Sequence, residues 1–184
     1  MGLNLEGRDC VVIGRSEDRE ALEKVGALKE AGANVRWIRE PERLRDDDLA
    51  GAFFVISTPH DERLSARLRR LADRQRFLLC CIDQPAYGFV AMQSVAKAGP
   101  ARITVSSGGV SPAVSKRWRE AIQQVLDAKF ARFLDALRIR RNVNRSLPDS
   151  EERKQAGRDA AEGFEVQISV RYPEWFERAE SADK

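Results

Sequence analysis

Residues 10–14 read Cys-Val-Val-Ile-Gly, and residues 52–57 read Ala-Phe-Phe-Val-Ile-Ser. Both are short and almost wholly apolar, and each is followed by a polar turn and a stretch with helical spacing. Continuous apolar runs of this length are typical of parallel strands that helices cover on both faces. The sequence therefore predicts a core of buried parallel strands.

Two more apolar runs and two helices complete an alternating pattern. The strand candidates are Asn34–Arg39 and Phe77–Ile82, and the helices run from about Arg19 to Ala31 and from about Asp61 to Arg76. This alternation predicts an α/β fold with a shortened, Rossmann-like and mostly parallel sheet. The carboxyl ends of such strands form one rim at which ligands bind.

The second half of the chain has a different pattern. Ile103–Ser107 is a strand candidate, Ala113–Arg141 a long helix, Asp149–Glu162 a second helix, and Phe164–Tyr172 alternates as a strand, an edge or an ordered tail would. We therefore predict a Rossmann-like domain at residues 1–100, a dimerisation strand and long helix at 101–145, and a C-terminal helical or tail region at 146–184.

The long predicted helix carries an apolar stripe at three- and four-residue spacings. Its members are Trp118, Ile122, Val125, Phe130, Phe133 and Leu137. Such a stripe is typical of core or dimer contacts, so it predicts a partner. The charged stretch 138–145 is typical of a solvated helix end, and we assign it no function.

Composition limits the classes of partner. The chain has 32 basic and 29 acidic residues and a net charge of +3, which favours an anionic small molecule over nucleic acid. No apolar run approaches a membrane span, and three cysteines without a secretory signal predict a cytoplasmic protein. With one histidine and no CxxC, the sequence predicts no resident metal site.

The turn after the first strand is the candidate nucleotide loop. A strand that ends in glycine before a helix can bind phosphate on the helix amides, which makes Gly14, Arg15 and Ser16 candidate cofactor residues. Ser57 and Thr58 follow the third strand on the same rim. The loop lacks the later glycines that admit a pyrophosphate, and Glu17 and Asp18 would repel one.

Asp83 is the candidate catalytic base. It directly follows the fourth apolar strand, where a carboxylate can face a cleft, although an Asp before Pro85 is also a common turn former. His60 lies on the same rim and is a candidate for contact with the substrate or for proton transfer. An exposed loop histidine without a function fits the same position.

The segment 106–112, Ser-Ser-Gly-Gly-Val-Ser-Pro, is the candidate substrate loop. Hydroxyls and flexible backbone before a helix suit carboxylate binding, so we predict substrate contacts from Ser106, Ser107, Gly108, Gly109 and Ser111. Helix capping by Ser111, with Pro112 in the first turn, explains those two residues equally well.

These motifs together resemble the siroheme synthase N-terminal family, precorrin-2 dehydrogenase/sirohydrochlorin ferrochelatase. The resemblance covers most of the chain and rests on residues 10–14, Lys24 with 31–33, residues 49–56, Asp83 with Pro85, and most specifically residues 103–120. It implies a homodimer with a Rossmann domain and a helical tetrapyrrole-binding region. It also implies that NAD accepts hydride from precorrin-2, that ferrous iron is a substrate, and that Asp83 is the base.

The chain departs from the family pattern at three places. Gly14-Arg15-Ser16 replaces a loop with three glycines, the stretch between Ala33 and Leu49 is shorter, and Gln93 stands in place of proline. The first two changes predict weakened NAD binding. We therefore keep three alternatives to a bifunctional enzyme: a chelatase alone, a non-catalytic tetrapyrrole carrier or scaffold, and, more distantly, a nucleotide-binding regulator.

Overall fold

The computed structural model describes residues 3–182, and the chain divides into two compact units between Gln93 and Ser94. The outermost positions of the predicted segments 1–100 and 146–184, residues 1–2 and 183–184, lie outside the described part. Each unit has its own sheet and its own hydrophobic cluster.

The first unit contains a parallel sheet of four strands. These are β1 (Asp9–Ile13), β2 (Asn34–Ile38), β3 (Phe54–Ser57) and β4 (Leu78–Cys81), in the order β2-β1-β3-β4. The predicted Rossmann-like α/β fold is confirmed. Because β2 and β3 lie on opposite sides of β1, the chain reverses its direction across the sheet, and the β1–β3 boundary is the usual place for a ligand crevice.

Burial on both faces of this sheet explains the apolar runs. Val11 and Val55 face one hydrophobic cluster, and Val12 and Ile56 face the other. All four are fully buried. The three cysteines are buried in the same clusters, and burial raises the pKa of each thiol, so they act as core residues.

Two helices cover the sheet, as the apolar spacing predicts. Helix α1 (Arg19–Glu30) begins after the cap residue Asp18, and α2 (Glu62–Gln75) begins after Asp61, whose carboxylate accepts from the Leu64 amide at 3.0 Å. On α2, Leu64, Leu68 and Leu71 are buried against the sheet. Short 3-10 turns occupy residues 41–43, 46–49 and 85–87.

The second unit begins with a β-hairpin, of which the sequence predicted only one strand. The strands β5 (Ser94–Ala98) and β6 (Ala101–Val105) pair antiparallel, and Gly99 forms the turn with φ +51°. Strand β6 is the predicted strand, shifted two residues towards the N-terminus. Strand β5 lies wholly inside the predicted Rossmann segment 1–100, and its small alternating residues give no strong strand signal.

Four helices follow, and the predicted single helix at Ala113–Arg141 is wrong. Its residues form α3 (Pro112–Val125) and α4 (Ala128–Asn144), which are followed by α5 (Ser150–Ala160) and α6 (Glu174–Ala182). Asp127 starts α4 because its carboxylate accepts from the Phe130 amide at 2.8 Å. The break lets Leu126 pack against β5, where it is buried with Ala96 and Ala98.

The segment after α5 is extended but pairs with no strand. Residues 164–173 have no regular hydrogen-bonded structure, so of the three alternatives for Phe164–Tyr172 neither the strand nor the sheet edge forms. The Phe164 ring stacks on Phe133 with 5.1 Å between centroids, and it lies 5.8 Å from Phe130. Aromatic packing therefore holds the start of this extended segment. None of the described helices is both long and apolar enough to cross a lipid bilayer.

Truncating Leu68 should test the packing of α2 on the sheet. Leu68 is fully buried, so Leu68→Ala should lower the free energy of unfolding of the first unit by about 2–5 kcal/mol. Leu22→Ala is the matched control, because Leu22 on α1 is 56% exposed and should change stability by less than about 0.5 kcal/mol. Urea denaturation measures both, and equal effects would contradict this packing.

Candidate functional site

The turns after β1 and β3 meet at the boundary where the sheet reverses. The Thr58 amide donates to the Ile13 carbonyl at 3.0 Å, and the Gly14 amide donates to the Ile38 carbonyl at 3.1 Å. A Cβ atom on Gly14 would collide with the Thr58 hydroxyl and with the Ala21 side chain. Two of the predicted cofactor residues are thus in contact, but Gly14 is glycine because the protein itself fills the space beside it.

Asp18 occupies the N-terminus of α1. Its carboxylate accepts from the Glu20 amide at 2.9 Å and from the Thr58 hydroxyl. Partial burial acts to raise the pKa of Asp18, but hydrogen bonds from the Thr58 hydroxyl and from the Ala21 and Glu20 amides outweigh it and lower that pKa. The helix end that would receive a phosphate therefore already holds an ionised carboxylate.

Trp37 fixes the other side of the glycine turn. Its indole N–H donates to the Gly14 carbonyl at 2.8 Å, and the guanidinium of Arg39 lies over its ring, 4.6 Å from the centroid. The indole thus lies between the ends of β1 and β2. In a dinucleotide-binding sheet the adenosine half lies along this side of the crevice.

The crevice that remains is mainly acidic. Its volume is about 420 Å³, and it is lined by Arg15, Glu17, Asp18, Pro41, Glu42, Pro59, Asp61 and Leu64. Arg15 is the only basic residue in this lining, and it pairs with Glu42 at 3.5 Å. The electrostatic potential in the crevice is therefore unfavourable to an anion.

The other two predicted cofactor residues do not contribute a free donor to this crevice. Ser16 is exposed on the loop. Ser57 is 1% exposed at the end of β3, and its hydroxyl oxygen is buried without a hydrogen-bond partner. Together with the occupied helix end, this arrangement does not fit the pyrophosphate of a dinucleotide.

Asp83 and His60 follow adjacent strands at the carboxyl edge of the sheet. Asp83 comes two residues after β4, and His60 three residues after β3. Both are exposed, and neither side chain has a hydrogen bond or ion pair with another residue among those described. The carboxylate of Asp83 is therefore accessible to a bound ligand, as a general base must be. Within residues 3–182 no three His, Cys, Asp or Glu side chains converge on a point that could hold a metal ion.

The predicted substrate loop belongs to the second unit and is held by its own hydrogen bonds. The Ser107 hydroxyl donates to the Ser111 carbonyl at 2.9 Å and accepts from the Ser111 amide at 3.0 Å. Ser106 accepts from the Gly108 amide, and Ser111 caps α3 by accepting from the Val114 amide. Capping therefore accounts for Ser111, and the turn accounts for Ser106 and Ser107.

The two glycines of this loop leave its backbone accessible to a ligand. Gly108 and Gly109 have φ of +64° and +83°, a conformation that favours glycine, and a Cβ on either would meet no atom within 4 Å. The neighbouring Val110 is 88% exposed. The loop thus presents accessible backbone beside the start of α3.

Sequence reasoning missed the contacts that Asp18 and Trp37 make with the turns of the sheet edge. An Asp directly before a helix is a recognisable capping signal, so the capping role of Asp18 was open to prediction. Its bond to Thr58 spans forty residues of sequence, and no local pattern reveals it. Trp37 lies in an apolar run, where burial is the ordinary expectation.

Comparison with known proteins places this site in a family. Residues 1–94 of the 184 match the family described as Putative NAD(P)-binding. The chain belongs to this family. A solved structure described as "SirC, precorrin-2 dehydrogenase" has the same fold, with a TM-score of 0.69, 16% sequence identity and 89% coverage of both chains.

Curated relatives agree with the resemblance seen in the sequence. The siroheme synthase of Ectopseudomonas mendocina is 29% identical over 176 residues, which cover 86% of this chain and 38% of that protein. The siroheme synthase of Azotobacter vinelandii is 29% identical over 170 residues, 82% of this chain and 36% of that protein. The resemblance to the siroheme synthase N-terminal family is confirmed. The chain spans little more than a third of the length of these relatives.

The Putative NAD(P)-binding family and the structural neighbour support NAD(P) as the cofactor class of this fold. In this chain the Asp18 carboxylate occupies the start of α1, where a dinucleotide phosphate would bind.

Dinucleotide binding should be weak. We expect a Kd above about 1 mM for NAD⁺ and NADP⁺ in isothermal titration calorimetry, because the phosphates would face Glu17, Asp18, Glu42 and Asp61. Asp18→Ser with Glu42→Gln removes two of these charges and keeps a capping hydroxyl, so it should tighten binding by about tenfold or more. A micromolar Kd for the unmodified chain would contradict the assignment.

The Asp18 carboxylate should make stability depend on pH. Because folding lowers its pKa, its contribution is complete above the unfolded-state value of about 3.9 and is lost as the pH falls through the folded-state value. Asp18→Asn should therefore lower the free energy of unfolding at neutral pH, because the amide keeps the cap but loses the ionised form that the hydrogen bonds from Thr58, Ala21 and Glu20 favour. The difference should narrow below about pH 4. Urea titrations at several pH values measure it, with exposed Glu17→Gln as the unchanged control.

Proposed function

We propose that this chain is an enzyme of siroheme-type tetrapyrrole biosynthesis in the cytoplasm, and that it inserts ferrous iron into sirohydrochlorin with Asp83 as the general base. The observation that carries the proposal is the exposed Asp83 carboxylate at the carboxyl edge of the sheet, without a partner among the described residues. The siroheme synthases to which the chain is similar support the pathway.

The chemistry of metal insertion suits such a carboxylate. Ferrous iron, the second substrate, binds to the ring nitrogens as two pyrrole N–H protons leave. An ionised carboxylate beside the ring accepts a proton from nitrogen and, because it is exposed, passes it to water. This reaction needs no dinucleotide, which agrees with the acidic crevice beside Asp18.

Gln84 provides a second polar group next to Asp83. Its side-chain oxygen Oε1 is buried and has no hydrogen-bond partner among the described residues. An unsatisfied buried acceptor costs about 1–3 kcal/mol, so a donor from outside the chain would relieve a real penalty. Because this oxygen is buried, a pyrrole N–H reaches it only if the Gln84 side chain turns outward, so Asp83 and not Gln84 carries the proposal.

The substrate carboxylates need donors, and we assign them to the open part of the loop at 106–111. Gly108 and Gly109 leave accessible backbone, whereas the Ser107 hydroxyl is already used within the loop. The hydroxyls of Ser106 and Ser111 accept amide hydrogens within the loop, and each keeps its own hydrogen as a donor for the proposed contact.

A second candidate is the oxidation of precorrin-2 to sirohydrochlorin with NAD. The Putative NAD(P)-binding family and the likeness of the fold to a precorrin-2 dehydrogenase favour it. The self-occupied crevice weighs against it. A non-catalytic tetrapyrrole carrier is the third candidate, and it requires binding of the ring without any dependence on Asp83.

The second unit favours a homodimer. Its own core is small, and Trp118 and Val125 on α3 are 37% and 45% exposed. The extended segment 164–172 adds Val166, Ile168 and Val170, each about half exposed. Exposure of these apolar side chains to water is unfavourable, and a second copy of the chain would bury them.

Substituting Asp83 should separate an enzyme from a carrier. Asp83→Asn removes the base but keeps the shape, so the rate of ferrous insertion into sirohydrochlorin should fall by about 10²–10⁴-fold while the Kd for sirohydrochlorin changes little. The absorbance of the ring follows both quantities. Asp47→Asn, at another exposed carboxylate in a turn, is the control.

An unchanged rate in Asp83→Asn would refute the assignment of the base. If the unmodified chain bound sirohydrochlorin but inserted no iron, the carrier would be preferred. Turnover of NAD with precorrin-2 would instead favour the dehydrogenase.

A further inference from the structure

The loop that carries Asp83 is held by the sheet on both sides. The Ile82 amide, directly before Asp83, donates to the Ser57 carbonyl at 3.0 Å. After Asp83 the chain makes a 3-10 turn and folds back on the outer edge of β4, where the Phe89 amide donates to the Leu79 carbonyl at 2.8 Å. The two ends of the loop are therefore fixed.

Gly88 allows the returning chain to lie directly on β4. Its backbone is extended, with φ −85°, a conformation that any residue adopts. A Cβ at this position, however, would lie 3.1 Å from the Leu79 carbonyl oxygen and 3.3 Å from the Cys81 amide nitrogen. Both atoms belong to the backbone of β4 and cannot move aside without disturbing the strand. The loop around Asp83 is therefore packed closely against the sheet.

Two aromatic side chains of the returning segment contact α2. The Tyr87 hydroxyl donates to the Glu62 carboxylate at 2.8 Å, and the half-buried Tyr87 ring packs against the hydrophobic cluster under α2. The Phe89 ring lies under the guanidinium of Arg69, 3.9 Å from its centroid. Glu62 and Arg69 are seven residues apart, about two helical turns, so they share one face of α2. The helix thus holds this segment at two points.

The hydroxyl of Tyr87 has a role that packing does not explain. The hydrogen bond to the Glu62 carboxylate raises the pKa of Tyr87, so the phenol stays protonated and continues to donate at neutral pH. A hydrogen bond to an ionised acceptor is also stronger than one between neutral groups. Phenylalanine would fill the same place in the core, so the hydroxyl serves the contact with α2.

We infer that Tyr87 is a positioning residue for Asp83, because its hydrogen bond to Glu62 fixes the turn from which the Asp83 side chain projects. The inference rests on the proposed function, in which Asp83 is the general base. The Asp83 carboxylate has no partner among residues 3–182, so the backbone that carries it determines where it lies. Since a displacement of about 1 Å can cost about 10²-fold in rate, loosening the turn should lower kcat more than substrate binding.

Removal of the hydroxyl tests the inference. Tyr87→Phe keeps the ring in the core, so kcat for ferrous insertion should fall by about tenfold, while KM for sirohydrochlorin changes by less than about twofold. Glu62→Ala should have the same effect. Glu62→Gln keeps an acceptor oxygen and should retain at least about half of kcat. Both Glu62 variants lose the same charge at the start of α2, so the difference between them isolates the hydrogen bond.

A double variant and a control complete the design. Tyr87→Phe with Glu62→Ala should be no slower than either single variant, because both remove the same contact. The control is Tyr172→Phe at the other tyrosine of the chain, whose hydroxyl makes no hydrogen bond within the described residues. This variant should leave kcat unchanged.

Hydrogen exchange of residues 84–90, measured by mass spectrometry on the full chain, gives a readout that does not depend on activity. Exchange should be about fivefold faster in Tyr87→Phe and in Glu62→Ala, because each loses one hydrogen bond that holds the turn. Exchange in Glu62→Gln and in Tyr172→Phe should match that of the unmodified chain.

An unchanged kcat in Tyr87→Phe would overturn the inference, since the hydroxyl would then stabilise the turn without positioning the base. An equal loss of kcat in Glu62→Gln and Glu62→Ala would also overturn it, because charge and not the hydrogen bond would be responsible. If Asp83→Asn slows iron insertion but Tyr87→Phe does not, only the positioning assignment fails. If Asp83→Asn leaves the rate unchanged, the proposed base is refuted, and the exchange data still show whether Tyr87 holds the turn.

Discussion

The carboxylate of Asp18 holds together the edge of the sheet at which a ligand of this fold would enter. It caps α1, accepts a hydrogen bond from the Thr58 hydroxyl after β3, and lies beside Gly14 after β1. Each of these contacts uses a donor or a space that a bound phosphate would otherwise use. The carboxylate thus takes the place at the start of α1 that a bound phosphate would take, within a Rossmann-like strand order.

This replacement explains the composition of the neighbouring turns. Once the helix end is occupied, glycines are no longer needed for close approach of a pyrophosphate, and Gly14 is retained because Thr58 and Ala21 leave no room for a Cβ. Carboxylates at Glu17, Glu42 and Asp61 are tolerated around the crevice because they are solvated, and Arg15 pairs with one of them. The same groups raise the energy of any polyanion placed there.

The sequence predicted the elements that depend on local composition and missed those that depend on distant contacts. The runs at 10–14 and 52–57 predicted buried parallel strands because burial on both faces requires apolar residues at every position. The break between α3 and α4 was not predicted, because Asp127 stands within an apolar stripe that continues at helical spacing. Asp83 and His60 were correctly expected at the strand ends, since the ends of parallel strands share one edge.

The net charge of the chain is close to zero, but the charged residues that line the cavities of the two units differ in sign. Charges in solution act over a Debye length of about 8 Å at physiological ionic strength, so a ligand responds to the nearest few residues and not to the total of +3. The crevice of the first unit has four carboxylates in its lining, whereas five basic residues and no acidic one line the groove between α4 and α5 of the second: Arg140, Arg141, Arg145, Arg153 and Lys154. The electrostatic potential therefore disfavours a polyanion in the crevice of the first unit and favours one in the groove between α4 and α5. Different residues thus govern the interaction with an anion in each unit, and the net charge of the chain predicts neither.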